Sequence, residues 1–449
     1  MSGLFGTDGV RGIPGSGSLS ASGVRRLARA AASIFLDRIP ARRRPFVLLG
    51  RDTRGSGPAL ARALADGFAA AGVGVADLGI VPTPAVSYLT PRRDAICGVV
   101  VSASHNPAEF NGIKFFDGTG RKLAPELEAA IERRLPRGPD PGARGTKPAK
   151  DPRGAAEYLD FLRSTMPADA DLGGLRIVFD GANGAAASIG PALLRVLGAE
   201  VFTVGCRPDG GNINLGCGAQ EPGLMRREVL RRRAHCGVAV DGDADRCQLA
   251  DERGRLLDGD ALIALSALHL QGQGLLRGDQ VVLTVMSNLG LIDFLRRRGI
   301  GAVQVPVGDR NVTEALDRDD LALGGENSGH VVFRRLAPTG DGLLTALQTL
   351  AAWRARGGAL SASRSLYRVF PQVLLNVRVE RRLPLEGLKS FQAELKRAHK
   401  LLRDSGRVFV RYSGTEPLLR ILVEAEDGGL TKALSSRLAQ VFKQEAGGI

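Results

Sequence analysis

The chain has 449 residues, 44% of them apolar and 24% charged, which suits about three domains with real cores and excludes a disordered, collagenous or disulfide-stapled chain. Lys and Arg number 61 against 47 Asp and Glu, a formal charge of +14 that points to an anionic partner: nucleic acid, an acidic membrane or a phosphorylated metabolite. Aromatic residues are only 5%, so the stacking platforms of single-stranded nucleic-acid binders are poorly supplied.

The N-terminus, MSGLFGTD, lacks a charged-then-apolar signal pattern, and no apolar stretch approaches the ~20 residues of a membrane span. The expectation is a cytoplasmic protein with no membrane contact. The five cysteines form no CxxC pair, which argues against a zinc ribbon or disulfide framework; Cys97 and Cys236 sit beside apolar runs and read as core.

In chain order, 46–50 (FVLLG) reads as a strand and 58–71 as an amphipathic helix. The strand 97–101 runs into a polar loop. Residues 135–153, rich in Pro, Gly and Arg, read as a linker or exposed loop. Beyond them, strands at 175–179, 200–204, 237–240, 280–285 and 301–305 alternate with helical stretches, the pattern of α/β architecture with parallel or mixed sheets. From about 371 the texture changes. Strands at 373–379, 408–412 and 419–424, with helices near 384–403 and 430–444, predict a smaller α+β domain.

Three times an apolar strand enters a chemically loaded loop: Val99–Val101 into SASHNP, Val238–Val240 into DGDADR, and Leu321–Leu323 into GGENSGH. In α/β folds such loops gather at strand ends and line a crevice. In the second loop, Asp241, Asp243 and Asp245 fall on one face of an extended segment. Three carboxylates on one face repel unless a cation lies between them, and an all-oxygen set favours Mg²⁺ or a similar hard ion. The spacing with Glu252 imitates a calcium-binding EF-hand, but Arg246 stands where that loop needs Gly, and a strand precedes it where a helix should. A solvated acidic turn is the plain alternative.

The first loop, SASHNPAEFNGIKFF, offers a serine as nucleophile or phosphoacceptor beside an imidazole, an amide and an ammonium; otherwise it is a Ser/Asn turn capped by Pro107. No G-x-S-x-G elbow supports a hydrolase, and no Walker-type loop supports a nucleotidase. Residues 411–420 (RYSGTEPLLR) combine guanidinium, hydroxyls and glycine in a set suited to a phosphate, or form an ordinary turn. Residues 50–57 (GRDTRGSG) precede a helix, as an anion site at its N-terminus or as a capping loop. Glu326, Ser328 and His330 suit sugar hydroxyls, though a Gly-rich turn explains them comparably.

Taken together and in this order, FGTDGVRG, SASHNP with NGIKFF, DGDADR, GENSGH and RYSGTEPLLR resemble the signature loops of the α-D-phosphohexomutase superfamily, in particular its bacterial amino-sugar branch, over nearly the whole chain. The resemblance implies three related α/β domains with mixed sheets and a smaller α+β C-terminal domain around a central cleft, with boundaries expected at 1–150, 151–254, 255–367 and 368–449. It implies an isomerase that interconverts glucosamine 6-phosphate and glucosamine 1-phosphate through a phosphoserine and a 1,6-bisphosphate, supplying UDP-N-acetylglucosamine and cell-wall synthesis. By match to the motifs, Ser104 carries the phosphate, not Ser102. Asp241, Asp243, Asp245 and the Ser104 phosphate hold one Mg²⁺ per active site. Glu326 and Ser328 grip the sugar hydroxyls, with His330 among the substrate-binding residues; Arg411, Ser413, Gly414 and Thr415 bind the non-reacting phosphate, with Arg420 the weaker member of that set. Lys114, His105, Arg246, Arg11 and His330 surround the transfer site, with Lys114 or His105 as general acid or base.

The resemblance further implies a sugar 1,6-bisphosphate as activator, a C-terminal domain that rotates as a lid, no nucleic-acid partner, and a monomer or homodimer. Arg51 joins the cationic residues expected to serve the cleft. Asn327, Tyr412 and GCGAQ at 216–220 depart from the amino-sugar pattern and keep glucose or mannose phosphates as the alternative substrates. A metal-dependent phosphatase and a basic nucleic-acid-binding protein are the readings from other classes.

Overall fold

In a computed structural model of the chain, residues 3–6, 8–39, 44–135, 140, 142, 145–167, 171–413 and 417–446 are described. They divide into two compact units: 1–286 with 300–366, and 287–299 with 367–449.

The larger unit holds three mixed sheets. In the first, of six strands, Phe46–Arg51 lies at the centre, parallel to Gly74–Ile80 and to Cys97–Val101. Cys97–Val101 continues antiparallel into Asn111–Asp117 and then Val10–Gly12. The central strands are buried along almost their whole length, which is why they read as unbroken apolar runs. The helices Ala21–Leu36 and Gly57–Ala70 supply apolar side chains to its core, the first capped by Ser20, whose hydroxyl accepts the Gly23 N–H. Residues 135–153 are not wholly linker: Ala149–Lys150 adds an edge strand parallel to Gly74–Ile80.

The second sheet has five strands, with Arg176–Asp180 flanked in parallel by Glu200–Val204 and Cys236–Val240. Cys247–Asp251 returns antiparallel. The third sheet has four strands, with Gln280–Thr284, Gly301–Val305 and Leu323–Gly325 parallel and Val331–Phe333 antiparallel. The smaller unit is α+β. Its antiparallel sheet of three strands (Gln372–Arg378, Leu418–Ala425, Gly406–Tyr412) packs with the helices Lys389–Leu402 and Gly428–Ala446 around Phe391, Leu438 and Phe442. The expected helix at 384–403 begins later, at Lys389, after a single 3₁₀ turn at Leu385–Gly387. All five cysteines are free, and Cys97 and Cys236 are core residues as expected. No described helix is long and apolar enough to cross a membrane.

The topology explains the threefold echo. Each loaded loop is the turn between one of the sheet's parallel strands and the antiparallel strand that follows it: 102–110 in the first sheet, 241–246 in the second, 326–330 in the third.

Candidate active site

The acidic loop is buried, not a solvated turn: Asp241, Asp243 and Asp245 are 0%, 1% and 5% exposed. The extended segment expected to align them is absent. The chain turns back on itself instead, with the Ala244 N–H donating to Asp241 O at 3.0 Å and Ala244 in the left-handed region at φ 58°. This turn brings one carboxylate oxygen from each residue within 4.8 Å of the others. Oδ1 of Asp243 and Oδ1 of Asp245 are buried and accept no hydrogen bond. Buried charge in that state calls for a partner, and an all-oxygen set with unused acceptors fits a hard divalent cation. Burial, with repulsion from Asp245 and Asp243, raises the Asp241 carboxyl well above its ordinary range. Burial also works against charge on Asp245, but His330, Lys114 and Arg246 together hold that carboxyl far below its ordinary range.

Ser104 meets the triplet directly. Its Oγ donates to Asp241 Oδ2 at 2.8 Å and lies 3.3 Å from His105 Nδ1. Ser104 is itself left-handed, at φ 51°. The Asn214 side-chain amide donates to Ser104 O at 2.9 Å and to Asn106 O at 3.1 Å, so the second domain grips the first domain's loop. Gly242 permits this approach: a Cβ there would stand 2.7 Å from Ser104 O and 2.8 Å from the Asn214 amide nitrogen.

Lys114 extends from its strand to Asp243 Oδ2 and Asp8 Oδ2, both at 2.8 Å, and lies 3.9 Å from Asp245. Burial opposes its charge, but the Asp243 and Asp8 carboxylates outweigh it and raise the ammonium above its ordinary value. Asp8 also pairs with Lys122 and Arg11, and Lys122 in turn with Asp309 from the third domain. Thr83 donates to Asp243 Oδ2 at 2.7 Å. His105 moves the other way: burial, then Arg246 and Arg11, lower its imidazole to about 4, so it is neutral near pH 7. Arg246 donates its backbone N–H to Asp241 Oδ1 at 3.2 Å, and its Nε makes no hydrogen bond.

From the third domain, Glu326 Oε1 accepts the Gly308 N–H at 3.0 Å, and Ser328 Oγ is buried without a hydrogen bond. His330, 2% exposed, places Nδ1 3.8 Å from Asp245 Oδ2. Its Nε2 faces Gly340, where a Cβ would come within 2.4 Å, and is buried without a hydrogen bond. Arg51 is committed elsewhere, to Asp77 at 2.9 Å. In the smaller unit, Arg411 is exposed and Ser413 is 3% exposed with its N–H donating to Leu418 O at 2.8 Å; Arg420 lies on the neighbouring strand, in register with Arg411. Gly414 and Thr415 lie outside the described residues.

Ser104, His105, Lys114, Arg11, Arg246, the three aspartates, Glu326, Ser328 and His330 all belong to the larger unit. Asp8, Thr83, Asn214, Lys122 and Asp309 were not anticipated. Asp8 lies inside FGTDGVRG, and NGIKFF stops short of Lys122, but one charged residue in a loop carries no pattern. Only their pairing across domains exposes them.

A fold of three such α/β domains with a smaller fourth, a buried serine against an acidic triplet, and a cationic surround define a phosphohexomutase. The chain matches all four family models of phosphoglucomutase/phosphomannomutase: α/β/α domain I over residues 2–140, II over 156–254, III over 258–370 and the C-terminal domain over 374–441. It belongs to that family. Among its relatives, the phosphoglucosamine mutase of Symbiobacterium thermophilum is 44% identical over 98% of this chain and 99% of its own length. That of Thermobifida fusca is 45% identical over 99% of both. A phosphoglucomutase/phosphomannomutase family protein from Burkholderia thailandensis superposes with a TM-score of 0.80 at 24% identity, covering 99% of this chain and 98% of its own.

Proposed function

We propose that this chain is a phosphoglucosamine mutase, interconverting glucosamine 6-phosphate and glucosamine 1-phosphate through phospho-Ser104 and glucosamine 1,6-bisphosphate. The observation that carries the reading is the contact of Ser104 Oγ with Asp241 within a buried aspartate triplet that has unused oxygens. Identity of 44% and 45% with phosphoglucosamine mutases over almost the whole chain supports the choice of sugar.

Phosphoryl transfer needs positioning and charge neutralisation more than covalent help. Phospho-Ser104 gives its phosphoryl group to the free hydroxyl of the sugar phosphate; the intermediate turns, and Ser104 Oγ takes the other phosphoryl group back. Mg²⁺, one per site, held by Asp241, Asp243, Asp245 and an oxygen of the Ser104 phosphate, would spread the charge of the transferring group. Lys114, kept charged by Asp243 and Asp8, acts as a fixed cation and not as a base. The neutral His105 imidazole lies beside Ser104 Oγ, so we assign it the proton released when Ser104 is rephosphorylated. Arg246 and Arg11 flank the transferring group.

Glu326 and Ser328 take sugar hydroxyls, and His330 braces Asp245 from behind. Arg411, Ser413, Gly414, Thr415 and Arg420 take the phosphate that is not reacting, and sugar 1,6-bisphosphate primes the enzyme. The domains divide at about 150, 254 and 367, the last being the phosphate-binding one. The test is a coupled assay on glucosamine, glucose and mannose 6-phosphates with Mg²⁺ and a trace of bisphosphate. Turnover fastest with glucosamine 6-phosphate is expected. Preference for glucose or mannose phosphate would move the chain to the alternative branch of its family, and no turnover of any would refute the mutase.

A further inference from the structure

We infer that Arg54 is the positioning residue of the phosphoserine loop: with Asp52 it forms a closed clamp that holds Ser104 in its left-handed conformation and aims Oγ at the acidic triplet. This inference rests on the mutase reading for its catalytic half, and on the geometry alone for its structural half.

The GRDTRGSG segment does not cap its helix through Ser56, and its charged pair turns inward. Arg54 is 1% exposed, in a turn that follows the strand Phe46–Arg51. Its Nε meets Asp52 Oδ2 at 2.9 Å. The rest of the guanidinium goes to backbone carbonyls of one loop: Ser104 O at 3.0 Å, Asn106 O at 2.8 Å, Phe110 O at 3.0 Å, and Pro107 O. The fork of five N–H donors makes this possible, and an ammonium cannot span the same carbonyls. Asp52 completes the circuit. It accepts from Ser102 Oγ at 2.7 Å, and that same oxygen accepts the Ser104 N–H at 2.9 Å. Ser104 is therefore held through the peptide units on both sides of its Cα, N–H through Ser102 and Asp52, C=O through Arg54. A left-handed non-glycine residue persists only where its surroundings over-determine it. Neither Asp52 nor Arg54 touches the reacting oxygen, so both act through the loop.

The test compares wild type with Arg54→Lys, which keeps the charge beside Asp52 but loses the fork, and with Ser102→Ala, which removes the bridge without stranding a charge. Two readouts are taken: amide hydrogen exchange across 103–110, and kcat and KM for glucosamine 6-phosphate. For Arg54→Lys, exchange in 103–110 should rise about tenfold or more while the strands Phe46–Arg51 and Cys97–Val101 stay protected. Its kcat should fall about 10- to 100-fold with KM within about twofold, the signature of misplacement and not of lost binding. Ser102→Ala should show the same pattern more weakly, and the double variant should fall short of the sum, because both act on one loop.

Unchanged exchange in 103–110 overturns the clamp, as does loosening spread over the whole first domain. A loosened loop with unchanged kcat overturns its catalytic role. If Arg54→Lys does not fold, Ser102→Ala decides alone by the same criteria. An inactive wild type refutes the mutase reading, whereas the exchange data still decide the clamp.

Discussion

Two clusters of buried charge hold opposite sides of Ser104, and they are built on opposite terms. In the Asp52–Arg54 pair both side chains are fully buried, and every guanidinium nitrogen has an acceptor. In the Asp241–Asp243–Asp245 loop the carboxylates are equally buried but crowd one another, and two of their oxygens accept nothing. Burying charge is expensive in both places. In the first cluster Arg54 and Ser102 offset much of that cost within the protein, although burial still lifts the Asp52 carboxyl above its ordinary range, and the pair reads as architecture. The second leaves it unmet, and so reads as a place for something the chain does not itself supply. The buried Nε atoms of Arg11 and Arg246, the hydroxyl of Ser328 and Nε2 of His330, none with a hydrogen bond, extend the same incompleteness outward from the acidic loop.

The largest expected effect tests whether the open cluster is the chemical one. Ser104→Ala should lower turnover by at least about 10³-fold, as loss of a covalent nucleophile does elsewhere, and should remove a phosphate-sized increment from the intact mass. Stability should barely change, because only the hydroxyl's contacts with Asp241 and His105 are lost. An increment that survives the substitution would move the phosphoserine to another residue.

Next comes a contrast in sign. Asp52→Asn leaves the Arg54 guanidinium buried without its counter-charge and should destabilise the fold by about 3–5 kcal/mol whatever the metal concentration. Asp241→Asn instead relieves repulsion from Asp243 and Asp245, so metal-free protein should gain on the order of 1 kcal/mol. Chemical denaturation of both variants checks this, and equal losses would erase the distinction between closed and open clusters. Saturating Mg²⁺ should then stabilise wild type by about 2.7 kcal/mol at one hundred times its Kd, and leave Asp241→Asn unmoved. A Tm of wild type that ignores divalent cations and chelators alike would exclude the triplet as a metal site.

The same distinction marks what could be read from the chain. Alternating apolar runs and helical stretches announced the α/β domains, because strands buried on both faces leave an unbroken signal. The acidic triplet and Ser104 were legible because their chemistry is concentrated in a few consecutive residues. The means by which the triplet converges was misread: period-two spacing suggested an extended face, whereas a turn through left-handed Ala244 does the work. The clamp was not legible at all. Arg54 binds carbonyls about 50 positions away, and carbonyls have no sequence identity. His330 was placed by its motif, and only the structure shows its imidazole beside Asp245.

The smallest effect concerns a carboxylate that is neither clamped by a cation nor left open. Asp180, at the end of Arg176–Asp180, is fully buried, and it accepts the N–H of Ala182 at 3.0 Å and of Gly218 at 2.9 Å. Burial raises it to about 6 even so, because two amide dipoles do not replace the hydration that the charged form loses. The folded chain then takes up its proton before the unfolded chain, whose carboxyl titrates near 3.9. The stabilisation linked to that proton is complete below about 4 and is lost as pH rises through about 6. Asp341, lifted to about 6 beside Tyr158, adds a slope of the same sign. Denaturation free energies measured between pH 4 and 6 should therefore show a pH slope that Asp180→Asn flattens by up to about 1.4 kcal/mol per unit. An unaltered slope would mean that the two N–H groups hold Asp180 ionised as readily as water does.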